Sequence, residues 1–357
     1  MAHRPILHHY QDPLSRIWLN CAAQVGYRVV RTADAYASTD GNRTLLIAED
    51  AALDADDSLA QMILHELCHA LVEGEAGEQQ QDWGLDNTSG RDTWREHSCL
   101  RLQAYLAGSV GLRDFFAPTT DFRVRFWNDL LHDPLMASAD KGGRYERSCV
   151  AARKGAWRAS MPRWQLPLQN ALKASASIAA AVATTAMMND EGEQLPSLWS
   201  TTQIQLQLHP AGHAPIADEG VPKTCTDCAW CFTSRGSSRC QHAPTIKLPA
   251  DAPACTLWEP AAELDCQRCG ACCREAFDRV EVGARESVVK LHPEMIISAG
   301  SYRKLKRQGS RCAALIGGDD RSQYQCRIYD DRPKTCRDFT RGSDNCLQAR
   351  RKVGLSL

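Results

Sequence analysis

An α+β fold in the first half of the chain, giving way to small loop-rich modules in the second, is what this sequence predicts. Three helical patterns and two short strand-like runs lie before residue 110, and thirteen of the seventeen cysteines fall between Cys225 and Cys346. The 357 residues suggest about two or three domains. With 43% hydrophobic residues and a net charge of −1, the composition indicates neither a disordered chain nor a general binder of polyanions.

The elements follow in order. Pro13 to Val25 reads as a first helix, and YRVVRT (Tyr27 to Thr32) and TLLIAED (Thr44 to Asp50) read as strands. LAQMILHELCHALVEG (Leu59 to Gly74) has helical periodicity, with Leu59, Ile63, Leu67, Ala70 and Leu71 forming an inward stripe. Asp56, Asp57 and Ser58 supply its cap and acidic approach, and Gly74 is a natural stop. DTWREHSCLRLQAYLAG (Asp92 to Gly108) reads as another helix, capped by Asp92 or Thr93, with Glu96, Cys99, Leu100 and Gln103 on one face.

Chemistry enters at His65-Glu66-Leu67-Cys68-His69. Residues four apart on a helix are neighbours, so His65 and His69 can reach one zinc ion while Glu66 takes a proton from its water. A catalytic zinc needs a third protein ligand and one open position. The extended motif HExxHxxGxxH is excluded, because this chain has Val72 and Glu75 where it requires Gly and His. Glu96 on the following helix is the expected third ligand. His97 is the alternative, as a ligand or as a hydrogen-bond donor to a transition-state oxyanion, and Glu73, Glu75 and Glu78 are loop competitors.

HELCHALVEG followed by REHSCLRLQAYL resembles the HELGHALL and EREANRFAAELL pair of the ImmA/IrrE-like zinc metallopeptidases. The resemblance covers the first half of the chain and is specific at these two helices. It implies a gluzincin-type, zincin-like domain with His65, His69 and Glu96 as zinc ligands and Glu66 as general base. Cys68 stands where the family usually has Gly, and Cys99 lies one turn from Glu96. Free cysteines at such positions are commonly small core residues.

The second half is read through its cysteines. MAHRPILHHYQDPL lacks the apolar core of a signal peptide, so a reducing cytoplasm, and metal in preference to disulfides, is expected. Cys225, Cys228, Cys240 and Cys255 form a plausible tetrahedral thiolate set, with Cys231 as a spare or substitute. CQRCGACC (Cys266, Cys269, Cys272, Cys273), then Cys312, then CRIYDDRPKTCRDF with Cys326 and Cys336, then Cys346, resembles the YkgJ family of zinc- or iron-chelating CxxCxxCC proteins. Eight thiols can hold two zinc ions, one zinc with spare thiols, or an iron-sulfur cluster. From Ser301 to Leu357 there are fourteen Lys and Arg against six Asp. A nucleic-acid surface is one reading; cations that offset thiolate charge, with Arg327, Arg332 and Arg337 inside the motif, are preferred.

The expected organisation is a zincin-like metallopeptidase domain over 1–165, an Ala-rich helix and linker over 166–220, a four-cysteine module over 221–260 and a chelating domain over 261–357. Leu168 to Pro196 is too short in its apolar part, and too rich in Ser and Thr, for a membrane span. Ser197 to Pro210 adds a candidate strand, and His209 and His213 read as connector residues. The expected function is zinc-dependent hydrolysis of protein or peptide substrates, with a C-terminal zinc- or iron-binding region for structure, substrate capture or sensing. The alternative is a noncatalytic metal-binding protein, a carrier or interaction module, built on a degenerate zincin scaffold.

Overall fold

A computed structural model describes residues 10–86, 88–182, 198–199, 209–213, 216, 223–249, 251–319 and 322–357. The N-terminal stretch 1–9, the end of the Ala-rich segment and most of the strand expected over 197–210 lie outside them. The chain divides into two compact units, Met1–Ile204 and Gln205–Leu357. Both mix helices with small sheets, so the α+β class stands.

In the first unit, α1 (Pro13–Gln24) leads into β1 (Arg28–Thr32), β2 (Ala37–Thr39) and β3 (Thr44–Ala48), followed by α2 (Leu59–Glu73) and α3 (Thr93–Gly108). A one-turn α4 (Phe122–Arg125), then α5 (Arg147–Ala159) and α6 (Gln165–Val182), complete it. The sheet has the order β1-β3-β2, with β1 parallel and β2 antiparallel to the central β3. The middle strand TLLIA is almost wholly buried, as its apolar run requires. β2 is an addition to the expected pair of strands. Ala37 and Ser38 carry little intrinsic strand preference, and their extended form comes from pairing with β3.

α2 begins where the Ser58 hydroxyl accepts the Gln61 N–H at 3.2 Å and ends at Gly74, whose φ of 69° suits only glycine comfortably. Its apolar stripe meets Trp18 of α1, Leu45 and Ile47 of β3, and Leu100 of α3 in the core, all fully buried. α6 lies on α1, where the Trp18 indole donates to Ser175 Oγ at 3.0 Å. α5 packs against both α2 and α3 through Gly155: a Cβ there would stand 2.7 Å from Leu102 and 3.3 Å from Val72.

The second unit starts with a three-stranded antiparallel sheet of β4 (Cys231–Ser234), β5 (Ser237–Cys240) and β6 (Ala243–Leu248). There follow a one-turn α7 (Cys266–Cys269), β7 (Glu281–Val282), α8 (Ser287–Leu291), β8 (Ile296–Ala299) and β9 (Tyr302–Leu305). β10 (Arg307–Gln308), β11 (Arg311–Cys312), β12 (Leu315–Ile316), β13 (Gln325–Cys326), α9 (Lys334–Arg337) and α10 (Asp344–Lys352) close the chain. Cys346 and Leu347 of α10 share a core with Trp230, Cys225 and Cys240, so the two cysteine-rich stretches pack together within one unit. Among the described residues no helix is long and apolar enough to cross a membrane.

Gly155→Val forces a branched side chain into the contact of three helices. It is expected to destabilise the first unit by about 2 kcal/mol or more, as overpacked cores do. A chemical denaturation curve of the variant beside the parent checks this, and an unchanged midpoint contradicts the packing described.

Candidate metal centres

α2 and α3 present their polar groups to each other at one place. The His65 and His69 rings stand nearly perpendicular, 86° apart, with their Nε2 atoms separated by 3.2 Å. Glu96 faces them from α3, with Oε2 at 3.1 Å from His69 Nε2 and Oε1 at 3.6 Å from His65 Nε2. Gln103, two turns along α3, places Oε1 at 2.9 Å from His65 Nδ1. Its amide is oriented because Nε2 donates to Phe116 O at 2.5 Å, so Oε1 is the acceptor and His65 Nδ1 carries the proton. That leaves the lone pair of His65 Nε2 directed at His69 and Glu96. Two imidazole nitrogens and a carboxylate in this arrangement fit zinc. The Nδ1 of His69 is buried without a hydrogen-bond partner.

The electrostatics agree. Burial works to raise the Glu96 carboxyl, but His65 and His69 together outweigh it and hold it at about 2. Burial lowers His69, yet its hydrogen bond to Glu96 and the charges of Glu96, Glu66 and Glu73 leave it raised overall. The pair therefore favours opposite charges, and a divalent cation can replace the proton between them.

Glu66 is 4% exposed, and its Oε2 accepts the Trp83 indole N–H at 2.7 Å. Trp83 also stacks over His69, with ring centroids 6.3 Å apart. It sits in a strained loop: Asp82, Trp83 and Gly84 have φ of 48°, 57° and 67°. Such a conformation costs on the order of 1–3 kcal/mol for each non-glycine residue, so other contacts must hold it. Arg95 on α3 does so, donating to the carbonyls of Trp83 at 2.7 Å and Gly84 at 2.8 Å while pairing with Glu73 at 2.6 Å. Ser38 on β2 donates to Asp82 from the other side.

These groups open into a cleft of about 230 Å³. Ala37 and Ser38 of the edge strand line it, with Met62, Leu85, Pro118 and Phe122 supplying apolar surface. His97 is placed elsewhere. Its ring lies parallel to Phe126 at 3.8 Å and edge-on to Phe122, so it packs behind the cleft instead of lining it. Of the acidic competitors, Glu73 is engaged by Arg95, Glu78 is held by Arg163 at 2.9 Å, and Glu75 is exposed.

Cys99 is the closest rival to Glu96. His65, His69 and Cys99 offer ligand atoms within 4.8 Å of one another. The Cys99 sulfur, however, approaches His65 at Nδ1, 3.7 Å away, which is the nitrogen engaged by Gln103. Burial, reinforced by the neighbouring Cys68 thiol, also holds its pKa well above the ordinary value. The Cys99 thiol donates to His65 O at 3.4 Å, whereas Glu96 faces the Nε2 atoms of both histidines, so by geometry Glu96 is the better candidate for third ligand.

In the second unit Cys225, Cys228, Cys231, Cys240 and Cys255 surround one small cavity. Burial pushes Cys225 up to about 12 and Cys255 up to about 11, so these thiols hold their protons until a cation displaces them. Further along, Gly270 (φ 58°) turns the chain after α7 under the Tyr324 ring, which a Cβ would meet at 2.8 Å. The neighbouring thiols then fall into two groups. Cys346 lies in the field of Cys269 and Cys266. Cys336 lies in that of Cys312, Cys272 and Cys326. Cys272 and Cys273, with sulfurs 3.9 Å apart, stand at the junction. The hydrogen bond between the two thiols lowers Cys272 and raises Cys273. Among the described residues, no three of these sulfurs close to within the spacing that the histidine pair reaches with Cys99.

Residues 265–352 match the CxxCxxCC family, described as "Putative zinc- or iron-chelating domain". This supports zinc or iron chelation by the last cysteine-rich stretch, and it ends short of the four-cysteine set and of the first unit. No curated protein and no solved structure matches the chain.

Trp83, Gln103 and Arg95 complete the first centre without having been assigned roles from the sequence. Gln103 was legible as a face-sharing partner of Glu96, seven residues on; Trp83 sits in a loop whose path no local signal dictates. Gln103→Leu removes the acceptor that fixes the His65 tautomer. It is expected to weaken zinc binding at this centre about 10- to 100-fold, the usual cost of losing such a partner. Competition against a chromophoric chelator measures it, and an unchanged affinity contradicts the assignment.

Proposed function

We propose that the protein is a zinc-dependent peptidase whose C-terminal unit chelates zinc or iron. The observation that carries this reading is the meeting of His65 Nε2, His69 Nε2 and Glu96 within 3.6 Å, at the floor of a cleft that also holds Glu66. Zinc bound there would supply a water of lowered pKa and polarise a scissile carbonyl.

The chain's own groups do the remaining work. Glu66 accepts the proton of the attacking water and returns it to the leaving amine. The Trp83 N–H occupies Oε2, which leaves Oε1 as the oxygen that carries the proton and fixes the carboxylate's rotation. Among the described residues β2 is the edge strand of its sheet, and at Ala37 and Ser38, before Asp40 bridges to Gln81, it is suited to an extended peptide that adds as a further strand. Met62, Leu85 and Phe122 favour an apolar side chain next to the cleaved bond. With Pro118 and Ala117 they also keep bulk water from one side of the site.

The second reading, a metal-binding protein without turnover, is favoured by the family match, which concerns chelation alone. Glu66→Gln separates the two. On a fluorescein-labelled casein or a mixed peptide library, the peptidase reading expects turnover to fall about 10²- to 10⁴-fold, the span typical of a lost general base. Zinc content and thermal stability should stay at the parent's level. Equal activity of parent and variant, including none in either, leaves the binding reading in place.

A further inference from the structure

We infer that residues 209–258 form a separate zinc centre, outside the segment matched to the chelating family, with Cys225, Cys228, Cys240 and Cys255 as ligands and His209 as a hydrogen-bond donor to the Cys225 sulfur. The cavity these thiols surround is about 10 Å³, room for a single ion-sized body. Its walls come from two chain segments laced together by backbone. Cys225 N donates to Ala252 O at 2.9 Å, Ala229 N donates to Glu259 O at 2.8 Å, and Thr224 and Cys228 form bridges with Pro253 and Pro260. The first segment is a tight CxxC turn in which Cys228 N donates to Cys225 O at 3.1 Å. Cys240 ends β5 on the facing hairpin.

Backbone N–H groups are already aimed at two of the sulfurs. That of Trp230 serves Cys228 and that of Leu257 serves Cys255, in each case from two residues ahead. Such donors stabilise thiolate and so suit metal-bound sulfur. Cys231 is the spare. It lies across from Cys240 on the β4–β5 ladder, and its sulfur is already engaged by the Ser238 hydroxyl.

His209 has the distances of a ligand but the wrong tautomer. Its Nδ1 accepts the Ala211 N–H at 3.0 Å, so the ring proton of the neutral imidazole resides on Nε2. That N–H points at Cys225 Sγ, 3.0 Å away, and His209 is 3% exposed. His242 repeats the pattern. Arg351 donates to its Nδ1 at 2.8 Å, and its Nε2, buried without a hydrogen-bond partner, belongs to a ring that lines the same cavity. Four thiolates around Zn²⁺ leave a net charge of −2 in a buried site, and N–H donors are what such a site requires. His209, ahead of the CxxC turn, is thereby part of the proposed metal centre.

Cadmium-113 NMR of the full chain loaded with cadmium tests this, since each centre gives its own resonance. One resonance should vanish in Cys225→Ser and in Cys255→Ser, survive in Cys231→Ser, and show no scalar coupling to imidazole ring protons. His209→Ala should keep that resonance while its affinity, measured against a competing chelator, falls about 10- to 100-fold. His209→Gln, which restores an N–H donor, should recover part of the loss. Survival of every resonance in Cys225→Ser and Cys255→Ser overturns the site. Coupling to the His209 ring in the parent protein overturns its role as donor and makes it a ligand, a result that needs no variant to fold.

Discussion

The packing of α2 on α3 is the constraint on which the first unit's chemistry depends. Neither helix carries the whole candidate ligand set: α2 holds His65 and His69, and α3 holds Glu96. The register between them also decides second contacts, because Gln103 reaches His65 only when Glu96 reaches His69. Arg95, adjacent to Glu96, ties the same helix to Glu73 at the end of α2 and to the loop that presents Trp83. A shift of α3 by one residue would lose the third ligand, the tautomer-fixing amide and the partner of Glu66 together. The strain in Asp82 and Trp83 is consistent with this, since Arg95 of the helix pair holds the loop, with Ser38 of β2 on its other side.

Much of this was legible in the sequence for a physical reason. His65, Glu66 and His69 follow from helical spacing alone, and Glu96 and Gln103 share a face by the same geometry. The caps at Ser58 and Gly74 use local chemistry and fall where residue types place them. What was not legible is nonlocal. β2 is extended because β3 pairs with it, and Trp83 reaches Glu66 because Arg95 folds the loop. His97 shows the opposite error: adjacency to Glu96 suggested a role at the metal, but neighbouring helix residues point about 100° apart, and Phe122 and Phe126 claim its ring.

The cysteine-rich unit depends on the complementary principle, that a segment too small for a large core is fixed by its ligands. Spacing identified the thiols, and tertiary structure grouped them. Cys346, last in the family motif, packs with Cys225 and Cys240, which precede the matched segment. The two cysteine-rich stretches therefore share one core. His209, a connector residue by sequence, acquires a partner only because the backbone of Ala211 sets its tautomer.

The most direct measurement is anomalous diffraction at the zinc edge from crystals of the zinc-loaded full chain. The account predicts a peak about 2.0–2.2 Å from His65 Nε2, His69 Nε2 and a Glu96 oxygen, with a water in the fourth position near Glu66. No peak between these residues, or an ion bound by Cys99 with no position left for water, would contradict it.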